Sequence, residues 1–204
     1  MPSLTDVYLP EAFLYNDNVS MNGDERSHGW VLDVGALEDH PNLMTTFTVS
    51  TVAQWYSIPK SINRIIISSN SLNVNSFTTM DFSTFTSLKM IEIGDECGMY
   101  VTSVKITGLS SLKSVRIGEN SFTTEKGSYS SERNAIGVFQ LKDCPKVKSL
   151  EIGLFSFSSY KQCLIANVGA LESIEMGEWD NIDSYSYNFY YASLELKSMG
   201  TALQ

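Results

Sequence analysis

Lysine and glutamate residues recur at matching places along this chain, and their spacing suggests what chemistry they could do. Lys89, Lys113 and Lys148 are separated by 24 and 35 residues. If the chain segments that carry these lysines stack on one another, the lysine charges line up on one surface. There they suit recognition of a partner with complementary charge. The equivalent charged positions three residues further along each copy are Glu92, Arg116, Glu151 and Glu175.

Neighbouring carboxylates are also the groups that glycoside hydrolysis needs. Glu151 and Glu175 would be adjacent in a stacked arrangement, but no acid–base partner in a cleft is identifiable for them. The chain has only two histidines, His28 and His40. It contains no phosphate-binding loop, no dinucleotide-binding glycine pattern and no G-x-S-x-G nucleophile turn. We therefore expect no enzyme activity, and a parallel β-helix enzyme acting on polysaccharide remains an alternative.

A short phrase, apolar-x-x-apolar-x-apolar-Gly, positions these charges. It begins at residues 88, 112, 147 and 171, so successive copies start 24, 35 and 24 residues apart. A period in the twenties is typical of solenoids, in which each repeat adds one turn, or rung, to a coil. The apolar-x-apolar part predicts a short strand with alternate residues facing opposite sides. We expect the following apolar residues to be nearly inaccessible to solvent: Leu112, Val115, Ile117, Leu150, Ile152, Phe157 and Ile174. Further apolar residues recur at fixed offsets upstream, at Val104 and Ile106, at Phe139 and Leu141, and at Cys163 and Ile165.

Strands stacked in register place equivalent side chains in columns about 4.8 Å apart. The residue between the two inward apolar positions faces outward, which puts Arg116 between Glu92 and Glu151. Opposite charges on neighbouring strands relieve like-charge repulsion. A serine column and the lysine column lie beside this one. The face is either a recognition surface or a solvated face whose charges compensate one another.

The repeat resembles the leucine-rich repeat pattern L-x-x-L-x-L-x-x-N-x-L, most closely over residues 62–72 and 112–122. Asn70 and Asn120 stand where the chain leaves the strand, and asparagine suits such turns because its side chain bonds nearby backbone groups. Glu96, Phe155 and Trp179 replace it in the other copies. The pattern therefore predicts that those turns are closed differently.

Residues 144–157 resemble more narrowly the BspA-like leucine-rich repeats of bacteria and protists. Cys144 matches the cysteine of that family, and Phe122 and Phe157 match its phenylalanine. Glycine stands where proline is usual, and serine stands where alanine is usual. The resemblance covers about residues 62–200. It implies a binding or adhesion module at the cell surface or outside the cell.

The predicted fold class is a β-rich solenoid, with stacked parallel strands in a leucine-rich-repeat-like right-handed coil of about seven rungs. We expect a single domain over residues 1–204, with weak repeats in 1–61, clear repeats in 62–204 and loop insertions near 16–29 and 123–134. In the weak part Thr46 and Thr48 fall on inward positions. A one-residue slip would turn Phe47 and Val49 inward instead, at the cost of a bulge.

Aromatic residues concentrate in residues 185–191. Tyrosine combines a large contact area with a polar tip, which suits protein interfaces and sugar stacking. Tyr187 and Tyr190 are therefore candidate binding residues. The alternative is that the segment packs in the core.

Composition excludes several classes of function. The net charge of −9, from 23 acidic and 14 basic residues, argues against a nucleic-acid partner. No apolar stretch is long enough for membrane insertion, and no signal peptide is visible in the first 20 residues. Cys144 and Cys163 fall on core-facing positions and are expected to be buried thiols. No cysteine or histidine spacing suits a metal, and we expect no cofactor.

The sequence thus predicts a protein-interaction or adhesion module that binds a protein or glycan through an exposed strand face. An alternative is a structural solenoid that associates head to tail into filaments, since open terminal rungs need covering. The candidate binding residues are Lys89, Glu92, Lys113, Arg116, Lys148, Glu151, Glu175, Tyr187 and Tyr190.

Overall fold

The structure is a computed structural model that describes residues 45–124, 136–177 and 187–199, all within a unit spanning residues 45–204. These residues form eleven strands and one short helix. In chain order the elements are β1 (Thr46–Val49), α1 (Val52–Tyr56), β2 (Arg64–Ile67), β3 (Thr79–Asp81), β4 (Met90–Ile93), β5 (Ser103–Thr107), β6 (Ser114–Ile117), β7 (Gly137–Lys142), β8 (Ser149–Ile152), β9 (Tyr160–Val168), β10 (Ser173–Met176) and β11 (Ser193–Met199).

The strands form two sheets in which the pairings are parallel. Sheet 1 has the order β1-β2-β4-β6-β8-β10, and sheet 2 has the order β11-β9-β7-β5-β3. From β2 onward most consecutive strands alternate between the two sheets, so the upstream apolar residues form the strands of sheet 2. The prediction of a β-rich fold of parallel strands is therefore confirmed. The prediction of one domain over residues 1–204 stays a prediction.

The register of sheet 1 follows the repeated phrase. Ile93 pairs with Ile117, and Ile117 pairs with Ile152, although the first pair is 24 residues apart and the second is 35. In β2, β4, β6 and β8 every second residue is buried. This alternation lets one side of each strand enter the core while the other faces solvent.

Most inward residues of sheet 1 are buried, whereas Phe47 on β1 and Ile174 and Met176 on β10 are half-buried. Leu112, Val115, Leu150 and Phe157 have no exposed surface, as predicted, and Ile117 and Ile152 are 2% exposed. Ile174 on β10 was also expected to be inaccessible, and that expectation is wrong because the residue is only half-buried. The reason is its place in the sheet. Among the described residues β10 has a neighbour on one side only, so no further strand covers it there.

The first described strand confirms the slip predicted for the weak repeats. Phe47 pairs with Ile65 and Val49 pairs with Ile67, which puts them on the core side. Val49 is fully buried and Phe47 packs against the core, whereas Thr46 and Thr48 are exposed. The part of the weak repeats before residue 45, with the insertion near 16–29, lies outside the described residues.

A glycine follows β4, β6, β8 and β10 of sheet 1, and after the first three of these strands the preceding turn passes too close for a side chain. A Cβ built on Gly94 would lie 2.6 Å from the backbone nitrogen of Ser69. At Gly153 it would lie 2.7 Å from the nitrogen of Glu119. Neighbouring turns therefore stack in backbone contact, which explains why the phrase ends in glycine.

The turn that follows has the same backbone with and without asparagine. Asn70 and Asn120 have φ of 60° and 50°, and Glu96 and Phe155 have φ of 56° and 61°. The backbone N–H groups of the first two residues and of Glu96 each donate to a carbonyl of the following turn at 2.8 Å. The prediction that Glu96 closes its turn differently is therefore wrong, because backbone atoms make the shared bond. Phe155 has the same sign and size of φ, and the closure of its turn stays a prediction. Trp179 lies outside the described residues.

Side-chain donors join the same turns inside the core. The hydroxyl of Ser121 donates to the carbonyl of Gly94 at 2.9 Å and accepts from the N–H of Cys97 at 3.0 Å. Ser156 repeats this one turn later, donating to a glycine carbonyl at 2.6 Å and accepting from the Ser121 N–H at 2.9 Å. The serines found where the resembling family has alanine thus satisfy buried backbone groups.

A column of phenylalanine rings fills the core beside these serines. Phe157 stacks on Phe122 at 4.7 Å and on Phe189 at 4.8 Å between ring centroids, with interplanar angles of 10° and 7°. Gly98 takes the same turn position as Phe122 in the preceding copy of the repeat, and a Cβ there would lie 2.8 Å from the Phe122 ring. Offset stacking of this kind adds to the energy of burial.

The three cysteines are free, buried thiols. This confirms the prediction for Cys144 and Cys163, and Cys97 is buried as well. Burial raises the pKa of all three thiols above the ordinary value, and that of Cys163 to about 12. Such thiols are not reactive nucleophiles at neutral pH.

The helix α1 spans only Val52–Tyr56 and is closed by a capping box between Thr51 and Gln54. In the part of the chain that the structure describes, no helix has the length and hydropathy needed to span a membrane.

Candidate binding surface

The outward side of sheet 1 carries the columns predicted from the sequence. Pairing places Glu92 beside Arg116, Arg116 beside Glu151, and Glu151 beside Glu175. We call this side, together with the residues that directly precede its strands, the charged face. Its charged members are Arg64, Lys89, Glu92, Lys113, Arg116, Lys148, Glu151, Glu172 and Glu175.

At one end of the charged face the charges neutralise each other. The guanidinium of Arg64 contacts the Glu92 carboxylate at 2.6 Å through Nη2, and its Nε donates to the same oxygen at 2.7 Å. Both side chains are largely covered, with 22% and 29% of their surface exposed. Glu92 is therefore held by Arg64, and this pair presents little free charge to a partner.

At the other end the charges are open to solvent. Arg116 Nε lies 3.6 Å from a carboxylate oxygen of Glu151, and the Arg116 side chain is 73% exposed. Lys148 Nζ lies 3.1 Å from Glu172, with both side chains more than half exposed. Exposed pairs of this kind contribute little to stability, roughly 0–1 kcal/mol each. Their side chains are therefore available for contacts with another molecule.

The lysine column is present but unevenly exposed. Backbone bonds of 2.8 Å from Lys113 N to Lys89 O and from Lys148 N to Lys113 O hold the three residues in line. Lys148 is exposed, whereas Lys89 and Lys113 are half-buried. The expectation that the whole column is exposed is thus correct for one lysine and wrong for two.

Two shallow grooves run along the carboxyl ends of these strands, and Arg116 lines both. One, of about 220 Å³, lies against β6, β8 and β10, and the other, of about 320 Å³, lies against β2, β4 and β6. The first groove is lined by four carboxylates, those of Asp95, Glu119, Glu151 and Glu175. With Arg116 as the one cationic residue among its lining residues, this groove favours positively charged groups.

The carboxylate of Asp95 is part of the frame of this groove. Its Oδ1 accepts a hydrogen bond from the backbone N–H of Glu119 at 2.9 Å, and its own N–H donates to the Ser69 hydroxyl at 3.1 Å. These bonds fix the turn between neighbouring strands. Asp95 could not be recognised from the sequence because it lies in a turn, beyond the strand positions that the repeat makes recognisable.

The aromatic segment divides between core and surface. Phe189 is buried and continues the phenylalanine column. Tyr190 is 53% exposed, and Tyr187 is half-buried with its ring 5.8 Å from Phe155. Both expectations for this segment are therefore met in part, since one ring packs inward while the tyrosine rings contact one another near the surface. Tyr185 lies outside the described residues.

The described residues contain no group of three or more histidine, cysteine or acidic side chains that could hold a metal ion. Glu151 and Glu175 are register partners, but Glu151 is paired with Arg116. The arrangement as a whole offers ionic and hydrogen-bonding contacts over a flat, rigid sheet. Comparison with known protein families, with curated proteins and with solved structures finds no match to this chain.

Proposed function

We propose that this chain is a non-catalytic binding module that takes a protein partner on its charged face. The observation that carries the proposal is the open end of that face, where Arg116, Lys148 and Glu172 are exposed on a sheet of paired parallel strands. A rigid array of both signs of charge favours a partner that also carries both signs, in a fixed pattern. Protein surfaces meet that requirement.

We further propose that the fold is a leucine-rich-repeat-like right-handed solenoid. Three features support it: the alternation of strands between two sheets, the common register across spacings of 24 and 35 residues, and the repeated turn after each strand of sheet 1. In such a fold each rung contacts its neighbours only, and the binding surface extends along the stack.

Charge reversal of Lys113 and Lys148 together tests the binding face. Partners are first captured with the wild-type chain from an array of extracellular and cell-surface proteins. We expect the double Glu variant to bind such a partner at least about tenfold more weakly, a loss of about 1.4 kcal/mol, because like charges then oppose each other. Surface plasmon resonance measures the Kd, and thermal unfolding should change little.

The matched control is the double Glu variant of Lys142 and Lys161, which makes the same change in net charge on exposed lysines of sheet 2. It should bind as the wild type does. Equal losses in the two variants would mean that net charge alone decides binding. Unchanged affinity in both would remove the charged face from consideration.

A second candidate function is self-association, favoured by the last described strand. Leu194 and Leu196 on β11 are 58% and 48% exposed, although they pair in register with Cys163 and Ile165, which are fully buried. Apolar residues on an open edge strand form a surface that can accept another strand. A second copy stacked end to end would cover them.

Light scattering at micromolar concentration tests this. We expect the wild-type chain to have a mass above the 22.7 kDa of a monomer, and the double variant Leu194→Lys, Leu196→Lys to be monomeric. Ile136→Lys, at a residue that is 60% exposed elsewhere, is the control and should associate as the wild type does. A monomeric wild-type chain would end the proposal.

A further inference from the structure

A small cleft lies beside α1, away from the charged face. It has a volume of about 240 Å³ and lies between the helix and the region around β3, which is at the opposite edge of sheet 2 from β11 among the described strands. Its lining combines three aromatic residues with charged and hydroxyl side chains. The lining residues that matter are Trp55, Tyr56, Lys60, Asp81, Thr84 and Phe85.

The aromatic part of the cleft has a fixed base and one open ring. Trp55 and Phe85 are 6% and 4% exposed, with ring centroids 6.0 Å apart in an edge-to-face arrangement. Tyr56 follows Trp55 in the helix and is 76% exposed, held by an edge contact with Phe77 at 6.2 Å. Tyr56 lines the cleft together with these two buried rings, so an exposed tyrosine offers an apolar platform there.

The polar part is also held in place. Lys60 Nζ donates to Thr84 Oγ1 at 2.8 Å and lies 4.8 Å from the centroid of the Phe85 ring. Asp81 Oδ1 accepts from the backbone N–H of Ser83 at 3.0 Å. Its second oxygen, Oδ2, makes no hydrogen bond within the described part of the chain. A donor group and an acceptor group thus line the same cleft as the platform.

We infer that this cleft binds a neutral sugar ring of a saccharide. The apolar C–H side of such a ring stacks on the exposed ring of Tyr56, because an aromatic ring offers a large apolar face of similar size. Its hydroxyls then donate to the Asp81 carboxylate and accept from Lys60 or Thr84, which supply the matching partners. Small-ligand sites usually combine an apolar contact surface with a small number of precisely positioned polar groups.

The volume of the cleft and the negative charge of the protein limit the class of saccharide that can bind. A volume of about 240 Å³ falls below the range of roughly 300–1,000 Å³ found for drug-sized ligands, so the cleft accommodates one ring. Asp81 and the net charge of −9 disfavour acidic sugars. The site is independent of the charged face, and it stands or falls separately from the protein partner proposed above.

Affinity gel electrophoresis of the full chain tests the inference. The probes are the neutral polysaccharides mannan, galactan and β-glucan, with polygalacturonate as the acidic comparison. We expect at least one neutral polymer to retard the wild type, and Tyr56→Ala to raise the dissociation constant at least about tenfold through loss of the platform. Asp81→Asn should also weaken binding, because an amide accepts fewer hydroxyl donors than a carboxylate.

The control is Tyr100→Ala, which removes another exposed tyrosine that does not line this cleft. It should be retarded as the wild type is, and thermal unfolding of all three variants should show that they are folded. Lack of retardation by every neutral polymer would overturn the inference. So would equal retardation of the wild type and Tyr56→Ala, or stronger retardation by polygalacturonate.

Discussion

Replacing Phe157 by alanine should destabilise the protein by about 3–5 kcal/mol. The ring is fully buried and stacks on Phe122 and Phe189, with Phe139 at 5.1 Å and Tyr160 at 4.8 Å between centroids. Its removal leaves a cavity that rings from other turns cannot fill, and it breaks the column at its middle. Urea unfolding followed by circular dichroism measures the change, which corresponds to a fall in Tm of roughly 10 °C.

Phe157→Leu provides the comparison. Leu72 occupies the same turn position in an earlier copy, with φ of 61° against 62° at Phe157, and it is 3% exposed. Leucine is therefore compatible with the backbone and fills part of the space, so its cost should be clearly smaller than that of alanine. A loss below about 1 kcal/mol for Phe157→Ala would contradict the assignment of the ring column as core.

Ile117→Ala should cost about 2–5 kcal/mol through lost burial and the cavity left behind. Ile117 lies between Ile93 and Ile152 in sheet 1, and it is 2% exposed. Because strands on both sides are fixed by backbone bonds, the site cannot collapse to fill the gap. Chemical unfolding of the purified variant measures the loss.

The matched control is Ile66→Ala on β2, which removes the same atoms from a half-buried, outward position. Its cost should be much smaller, since fewer of its atoms leave water on folding. Similar losses for the two substitutions would mean that the inward and outward sides are assigned incorrectly.

The register of sheet 1 was predictable because side-chain direction in a strand has a period of two. Alignment of the apolar-x-apolar-Gly phrase is enough to predict that Glu92 and Glu151 are the neighbours of Arg116. The strand pairing in the structure agrees with this prediction. The same alignment found the upstream apolar residues. It did not reveal that they form a second sheet, because pairing between rungs depends on how the chain turns between them.

The turns were less predictable, for a different reason. Asparagine at two positions suggested a side-chain function, yet Glu96 and Phe155 adopt the same left-handed backbone. Residue type is a weak guide there because the contacts of neighbouring turns impose the conformation. The cleft beside α1 was missed altogether, since Tyr56, Lys60 and Asp81 share no motif and come together only through packing.

The left-handed turn has a consequence for how this protein can change over generations. The backbone bonds of Asn70, Glu96 and Asn120 need no particular side chain. Phe155 shares their positive φ, so four residues of unlike chemistry occupy equivalent places. Each residue other than glycine or asparagine adds a local strain of about 1–2 kcal/mol that the neighbouring turns must offset. Within that limit the position tolerates drift. The row of side chains beside the charged face can thus change by single substitutions, while the neighbouring strands keep their register.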